Sequence, residues 1–294
     1  MERIAVTGGC GLLGGYVTEV ISKTAEVTVL DKSPVGSDVA TDVLEADVMN
    51  LEQVCDSLSN QEAVVHLAGL DLALGVSGYD FYHVNVQGTW NVLRAAELHG
   101  IRRVVIASSV AALGIDDMVP GQVPEYLPVD EEHALKPVHS YGLSKQVMEV
   151  TARSFVRRGH LEVIALRPVL IAFEHIMEST VVLIERRDVN REYGHLTPSR
   201  CFVSPRDAAR CFDLALHRPT EPFDVFLVAA PQSISPEPTL DNVQRRFGVQ
   251  PPVVEPQWFQ GDARAAMINA SKARRVLGWV CDDDWNQLVV AACV

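Results

Sequence analysis

Arg3-Ile4-Ala5-Val6-Thr7-Gly8-Gly9-Cys10-Gly11-Leu12-Leu13-Gly14-Gly15 is the stretch on which the fold turns. Arg3 to Thr7 is short and mostly apolar, glycines follow at once, and helical periodicity begins near Leu12 and continues through Tyr16, Val17 and Val20. Strand, glycine turn and helix in direct succession are the context a dinucleotide fingerprint requires. Glycine lets the backbone turn tightly and approach a pyrophosphate, to which the helix N-terminus offers free N–H groups and the positive end of its dipole. The bland alternative is an ordinary glycine-rich turn. What comes next favours the fingerprint: Glu26 to Leu30 reads as a second strand ending in Asp31. An acidic side chain there accepts hydrogen bonds from ribose hydroxyls and repels a 2′-phosphate, so NAD is expected over NADP, with Lys32 tempering the preference.

Strands and helices then alternate. Strand runs read at 3–7, 26–30, 42–46, 62–67, 102–108, 161–166 and 223–229, with helical patterns near 12–22, 51–58, 80–99 and 140–158. Near-continuous apolar strands such as Val104-Val105-Ile106-Ala107 suit a parallel sheet covered on both faces. Helical crossovers between them imply an α/β, doubly wound Rossmann sheet. After residue 167 proline becomes frequent and helices are expected to be short. The expected division is a dinucleotide-binding domain over 1–167, to which 201–229 returns, and a smaller substrate-binding lobe from 168–200 and 230–294.

The formal net charge of −13 argues against nucleic acid or an anionic membrane surface as partner. The 48% hydrophobic content is ample for a core. No run approaches a membrane-spanning length, and the first strand begins too early to leave room for a signal peptide. Six cysteines without CxxC or metal-type spacing read as reduced thiols, so a cytoplasmic location is expected and no metal site is.

Tyr141-Gly142-Leu143-Ser144-Lys145 carries the chemistry. Helical spacing of four stacks a phenol and an ammonium on one face. The ammonium is expected to lower the tyrosine pKa, so that the phenol exchanges a proton with a substrate hydroxyl near neutral pH.

These features occur in order with others: Thr7 to Gly14, Asp47-Val48, His66-Leu67-Ala68-Gly69, Asn85-Val86-Gln87-Gly88-Thr89, Ser108-Ser109, Tyr141-x-x-x-Lys145, Arg167-Pro168, and Asn269-Ala270-Ser271-Lys272 through Leu277-Gly278-Trp279. Taken together the chain resembles an extended short-chain dehydrogenase/reductase of the NAD-dependent epimerase/dehydratase group, along essentially its whole length. The resemblance implies a cofactor site of Gly8, Gly11, Leu12, Leu13, Gly14, Asp31, Lys32, Asp47, Val48, Leu67, Ala68, Gly69, Ala107, Ser108, Tyr141, Lys145, Arg167 and Pro168. It implies catalytic roles for Ser109, Tyr141, Lys145 and Asn85, the last completing a proton relay. Ser109 is preferred because it stands five residues before Gly114; Ser108 is the alternative, since neighbours in a strand face opposite ways. Leu70, Ser109, Val110, Ala111, Val169, Leu170 and Arg200 are the implied substrate contacts. A homodimer is also implied, formed by the 80–99 and 140–158 helices, with Tyr79, Phe81, Tyr82 and Trp90 available equally to it or to the core.

Departures bear on substrate. Leu113 precedes Gly114 where nucleotide-sugar enzymes often carry Tyr, Val169-Leu170-Ile171 follows Arg167-Pro168, and Arg200-Cys201-Phe202-Val203-Ser204-Pro205-Arg206-Asp207 keeps only the ends of the usual pattern. The Phe-x-Ser-Pro-x-Asp run is similar to that of uronate dehydrogenases, and the chain is short for enclosing a nucleoside diphosphate. The expectation therefore leans to an NAD-dependent oxidoreductase acting on a secondary alcohol of a sugar. The alternative is a nucleotide-sugar epimerase or dehydratase with tightly held NAD; a non-catalytic dinucleotide sensor comes third, because both Tyr141 and Lys145 are present. Asp282-Asp283-Asp284 reads as a helix start, Asp116-Asp117 as a solvated turn, and His139, His175, Arg186, Arg187 and Arg191 as polar surface.

Overall fold

A computed structural model describes residues 1–34, 42–71, 75–115, 119–174, 200–285 and 288. Its centre is a seven-stranded sheet in the order β3-β2-β1-β4-β5-β6-β9, every neighbouring pair parallel. The strands are β1 (Arg3–Thr7), β2 (Glu26–Asp31), β3 (Asp42–Glu45), β4 (Ala63–His66), β5 (Arg103–Ala107), β6 (Glu162–Pro168) and β9 (Phe223–Val228). A separate parallel pair is made by β7 (Leu170–Ile171) and β8 (Phe202–Val203). All seven strands of the large sheet lie where the apolar runs placed them.

Helices cover both faces. α1 (Leu12–Ile21) and α6 (Pro205–His217) bury Val17, Ile21, Ala208 and Phe212 on one side. On the other, α2 (Leu51–Leu58), α4 (Gly88–Leu98) and α5 (Ser140–Val156) bury Val54, Leu58, Val92, Leu93, Ala152 and Phe155. β1 and β4 are neighbours whose following helices pass to opposite faces, and this switch point opens a crevice beyond the carboxyl ends of the strands.

Two elements differ from expectation. The 80–99 pattern is not one regular helix: α3 (Gly78–Asp80) runs into a π-helical segment, Phe81–Gln87, before α4 begins. Widened turns of this kind cluster at functional sites, and here the segment buries Phe81 and Asn85. The region after 167 also holds a thirteen-residue helix, α6, rather than only short ones. Its start is written in Ser204-Pro205-Arg206-Asp207: Pro205 occupies the first turn and the Ser204 hydroxyl accepts from Asp207 N–H at 2.9 Å. Beyond β9, α7 (Thr239–Phe247) and α8 (Pro256–Gly261) lead into strand-like bridges at Val253 and Ile268 that hold Leu127 and Val129. After the aspartates, Leu288 N–H donates to Asp284 O at 3.1 Å. Asp116-Asp117, His175, Arg186, Arg187 and Arg191 lie outside the described residues.

The glycine turn is sterically required. Gly8 has φ +70°, and a Cβ there would stand 2.7 Å from Ala68 N; one on Gly14 would overlap Gly8 O and lie 2.6 Å from Gly9 Cα. Gly14→Ala must therefore push the turn out of shape, with an expected loss of about 1–3 kcal/mol in urea unfolding and weakened NAD binding by calorimetry.

Candidate active site

The first part of the site is the mouth of α1. Gly11 precedes the helix with no side-chain cap, leaving its first-turn N–H groups to a ligand, and Leu12 beside them is 61% exposed. Leu13 packs against the core and Gly14 is buried. Asp31, at the end of β2, accepts from Cys10 N–H at 3.1 Å and Ser33 N–H at 3.0 Å, which aims its carboxylate beside the glycine turn; Lys32 is exposed. Asp47 is exposed and its Oδ1 accepts from Met49 N–H, while buried Val48 has its carbonyl held by Asn91 Nδ2 at 2.8 Å.

Beneath the crevice runs a chain of hydrogen bonds with one consistent direction. Burial, aided by the nearby Lys145 cation, pushes the His66 pKa down to about 3, so the ring is neutral and has one donor and one acceptor. Thr89 spends its proton on Asn85 O at 2.6 Å, so His66 Nε2 must donate to the Thr89 hydroxyl at 3.0 Å. His66 Nδ1 then accepts from Thr7 Oγ1 at 2.7 Å, and Thr7 Oγ1 accepts from Ala68 N–H at 3.3 Å. Leu67 N–H donates to Thr7 O at 3.0 Å. The ends of β1 and β4 and the π-helical segment are thereby tied together.

Asn85 continues the tie with its side chain. Its Oδ1 accepts from Leu70 N–H at 2.7 Å, and its Nδ2 donates to Leu70 O at 3.1 Å and to Ser144 Oγ at 3.0 Å. Ser144 in turn donates to Tyr141 O at 2.7 Å. Fully buried, Asn85 meets α5 through Ser144 and the stretch after β4 through the backbone of Leu70, and a Cβ on Gly69 would crowd its Oδ1 at 2.9 Å.

Above this frame lie Tyr141 and Lys145 on α5. The Tyr141 and Ser109 side chains are hydrogen-bonded, Lys145 Nζ sits 5.6 Å from the centre of the Tyr141 ring, and Phe81 meets that ring edge-on at 5.5 Å. Lys145 Nζ also donates to Ala107 O at 2.7 Å. Ser109 Oγ accepts from Ala111 N–H, starting a short 3-10 turn over Val110–Leu113. Buried Pro168 ends β6, buried Val169 follows it, and Leu170 begins β7. Arg200 has a left-handed backbone, φ 63°, and its carbonyl accepts from Ile234 N–H at 3.0 Å.

Three expectations are corrected. The Tyr141 pKa is not lowered in the protein alone: burial pushes it up to about 12, with the Ser109 hydrogen bond opposing and the Asp71 charge adding to the rise. Burial likewise lowers Lys145 to about 8, against the opposing charges of Asp71 and Glu149. Of the paired serines, Ser108 does not face the crevice, because its hydroxyl donates to buried Glu149 at 2.6 Å. Nor does the Arg167 guanidinium, which is 2% exposed and paired in two-pronged fashion with the same carboxylate. Phe81, open above to dimer or core, is taken by the interior, buried against Tyr141. Sequence reading overlooked Glu149, Ser144 and Asp71; of these, Glu149 had a signal, lying four residues beyond Lys145 on the same helical face.

Over residues 4–229 the sequence matches the NAD dependent epimerase/dehydratase family, and the chain belongs to it. It is an enzyme of the short-chain dehydrogenase/reductase type whose cofactor is NAD, and the uncapped α1 mouth, the glycine cradle and Asp31 fit that dinucleotide. The chain is 25% identical to the UDP-glucose 4-epimerase of Rhizobium leguminosarum bv. trifolii, over 99% of its own length and 96% of that protein's. Among solved structures it resembles the UDP-glucose 4-epimerase of Thermotoga maritima with UDP-glucose (TM-score 0.73, 19% identity, 99% and 97% of the two chains). It also resembles MoeE5 in complex with UDP-glucuronic acid and NAD (TM-score 0.72, 21% identity, 98% and 96%). Among the described residues no group of His, Cys, Asp and Glu is arranged to hold a metal, and no helix is long and apolar enough to cross a membrane.

The neutral His66 makes stability pH-dependent with a definite sign. Its folded pKa, about 3, lies below the ordinary 6.5, so the unfolded chain binds the proton more readily and stability falls as pH drops below about 6.5. His66→Gln should be less stable than the natural protein at pH 7, and the gap in unfolding free energy should shrink steadily toward pH 4.

Proposed function

We propose that this chain is a nucleotide-sugar 4-epimerase that inverts a secondary carbinol of a UDP-hexose and keeps NAD bound between turnovers. The observation that carries the reading is end-to-end similarity: a UDP-glucose 4-epimerase matches 99% of this chain and 96% of itself, so the regions beyond the dinucleotide site are matched as well. That coverage weighs against the argument from shortness, which favours a free sugar. Residues 168–200 and 230–294 are taken as the substrate-facing lobe, with Leu70, Val110, Ala111, Val169, Leu170 and Arg200 toward the sugar nucleotide.

NAD, when bound, supplies a hydride acceptor that can also return what it took. Tyr141 takes the proton of the substrate hydroxyl and later gives it back, so no proton is gained or lost overall. Ser109 donates a hydrogen bond to the reacting oxygen as charge moves onto it. Because burial favours the protonated phenol, the tyrosinate depends on cations brought beside it: the Lys145 ammonium and the positive ring of the oxidised cofactor. Asn85 and Ser144 position Tyr141 without touching substrate.

Purified enzyme with UDP-glucose or UDP-galactose should equilibrate the two, read by the configuration at C4, with no net rise at the NADH absorbance. Tyr141→Phe should lower turnover by roughly 10²–10⁴-fold while retaining NAD. Net NADH formation from free sugars, with no epimerised product, would instead establish the sugar dehydrogenase.

The reading includes a homodimer. Tyr82, Trp90, Leu143 and Val150 are exposed apolar side chains on the π-helical segment, α4 and α5, and pairing these helices with a second copy would cover them. Sedimentation at micromolar concentration should give twice the chain mass, and Val150→Glu should give the monomer.

A further inference from the structure

Three successive residues at the exit of β5 meet three successive turns along one face of α5. Ser109 is hydrogen-bonded with Tyr141. Ala107 O accepts from Lys145 Nζ at 2.7 Å. Ser108 Oγ donates to Glu149 Oε1 at 2.6 Å. Positions 141, 145 and 149 share a helical face, so the contacts act together to set how α5 is rotated against the strand. The first two belong to the catalytic constellation; the third has no chemistry of its own.

The third contact is nevertheless the most heavily built. Arg167 reaches across from β6 and donates to Glu149 through Nε at 2.8 Å and Nη2 at 2.7 Å, with Glu149 1% and Arg167 2% exposed. Arg167 Nη1 is buried without a hydrogen-bond partner. A buried ion pair is weak evidence for stability, since an apolar pair of similar volume often serves as well. An apolar pair cannot accept a hydrogen bond from Ser108, and so would lose this tie between α5 and the exit of β5. A partner on the opposite face of α5 would not line up with Tyr141 and Lys145.

We propose that Glu149, braced by Arg167, is a positioning residue that sets Tyr141 and Lys145 against Ala107–Ser109, with Ser108 as its contact on the strand. The proposal rests on the reading of Tyr141 and Lys145 as the proton-handling pair. Glu149 also places a negative charge that favours the charged form of Lys145.

The test uses full-length enzyme loaded with NAD and two variants. Ser108→Ala leaves the ion pair intact; it should keep its fold and its bound NAD, hold KM for UDP-glucose within about twofold, and lose about tenfold in kcat, the worth of one hydrogen bond to a charged group. Glu149→Gln keeps an acceptor for Ser108 but removes the charge; the Lys145 signal in ε-13C-lysine NMR should titrate at lower pH than in the natural protein. An unchanged kcat in Ser108→Ala, or an unmoved Lys145 titration in folded Glu149→Gln, overturns the proposal. If Glu149→Gln does not fold, Ser108→Ala decides alone. If the natural enzyme turns over no sugar nucleotide, the functional reading has failed, and the lysine titration still judges the positioning role.

Discussion

Where β1 and β4 lie side by side, the chain leaves them in opposite directions, α1 toward one face and the π-helical segment with α4 toward the other. Parallel pairing in register sends all the strand exits to one edge, where the switch point opens a crevice. Such exits carry Gly8 after β1, Asp31 at the end of β2, His66 to Leu70 from the end of β4, Ala107 to Ser109 from the end of β5, and Val169 after β6, while Tyr141 and Lys145 come to them on α5. The crevice follows from how the sheet is wound, and the loops furnish it.

Holding those exits in fixed relation takes polar contacts that the apolar layers cannot supply. The Thr7–His66–Thr89 chain joins three segments distant in sequence, and the Asn85 and Ser144 side chains pass the connection to α5. Each group is buried with its partners satisfied, the condition under which interior hydrogen bonds define one geometry. The same burial acts on the reactive groups. It raises the Tyr141 pKa and lowers that of Lys145, both toward the neutral form. A phenol held protonated in the protein alone suits a site that also has to accommodate a cationic cofactor, because reactivity then depends on that cofactor being in place.

Family membership and end-to-end similarity to 4-epimerases fit this frame. The departures around Leu113, Arg167-Pro168-Val169 and Arg200 to Asp207 leave the frame intact. Leu113 is buried in the core behind the 3-10 turn, and Ser204 and Asp207 build the start of α6. Asp207 also accepts from Asp282 N–H and Asp283 N–H, anchoring the chain near its C-terminal end.

The sequence by itself determined the seven strands, the glycine turn and the placing of Tyr141 and Lys145 on one helical face. These rest on local rules: apolar runs of strand length, glycine where a Cβ cannot fit, and side chains four apart sharing a helical face. Tertiary structure alone decided the rest. A π-helical widening at Phe81–Gln87 is no departure from helical periodicity that composition betrays. The inward turn of Ser108 and Arg167 depends on Glu149 arriving from another element. The Tyr141 pKa rises, against expectation, because sequence exposes a neighbouring charge but not the depth of burial, and here desolvation is the largest influence, with the Asp71 charge adding to it.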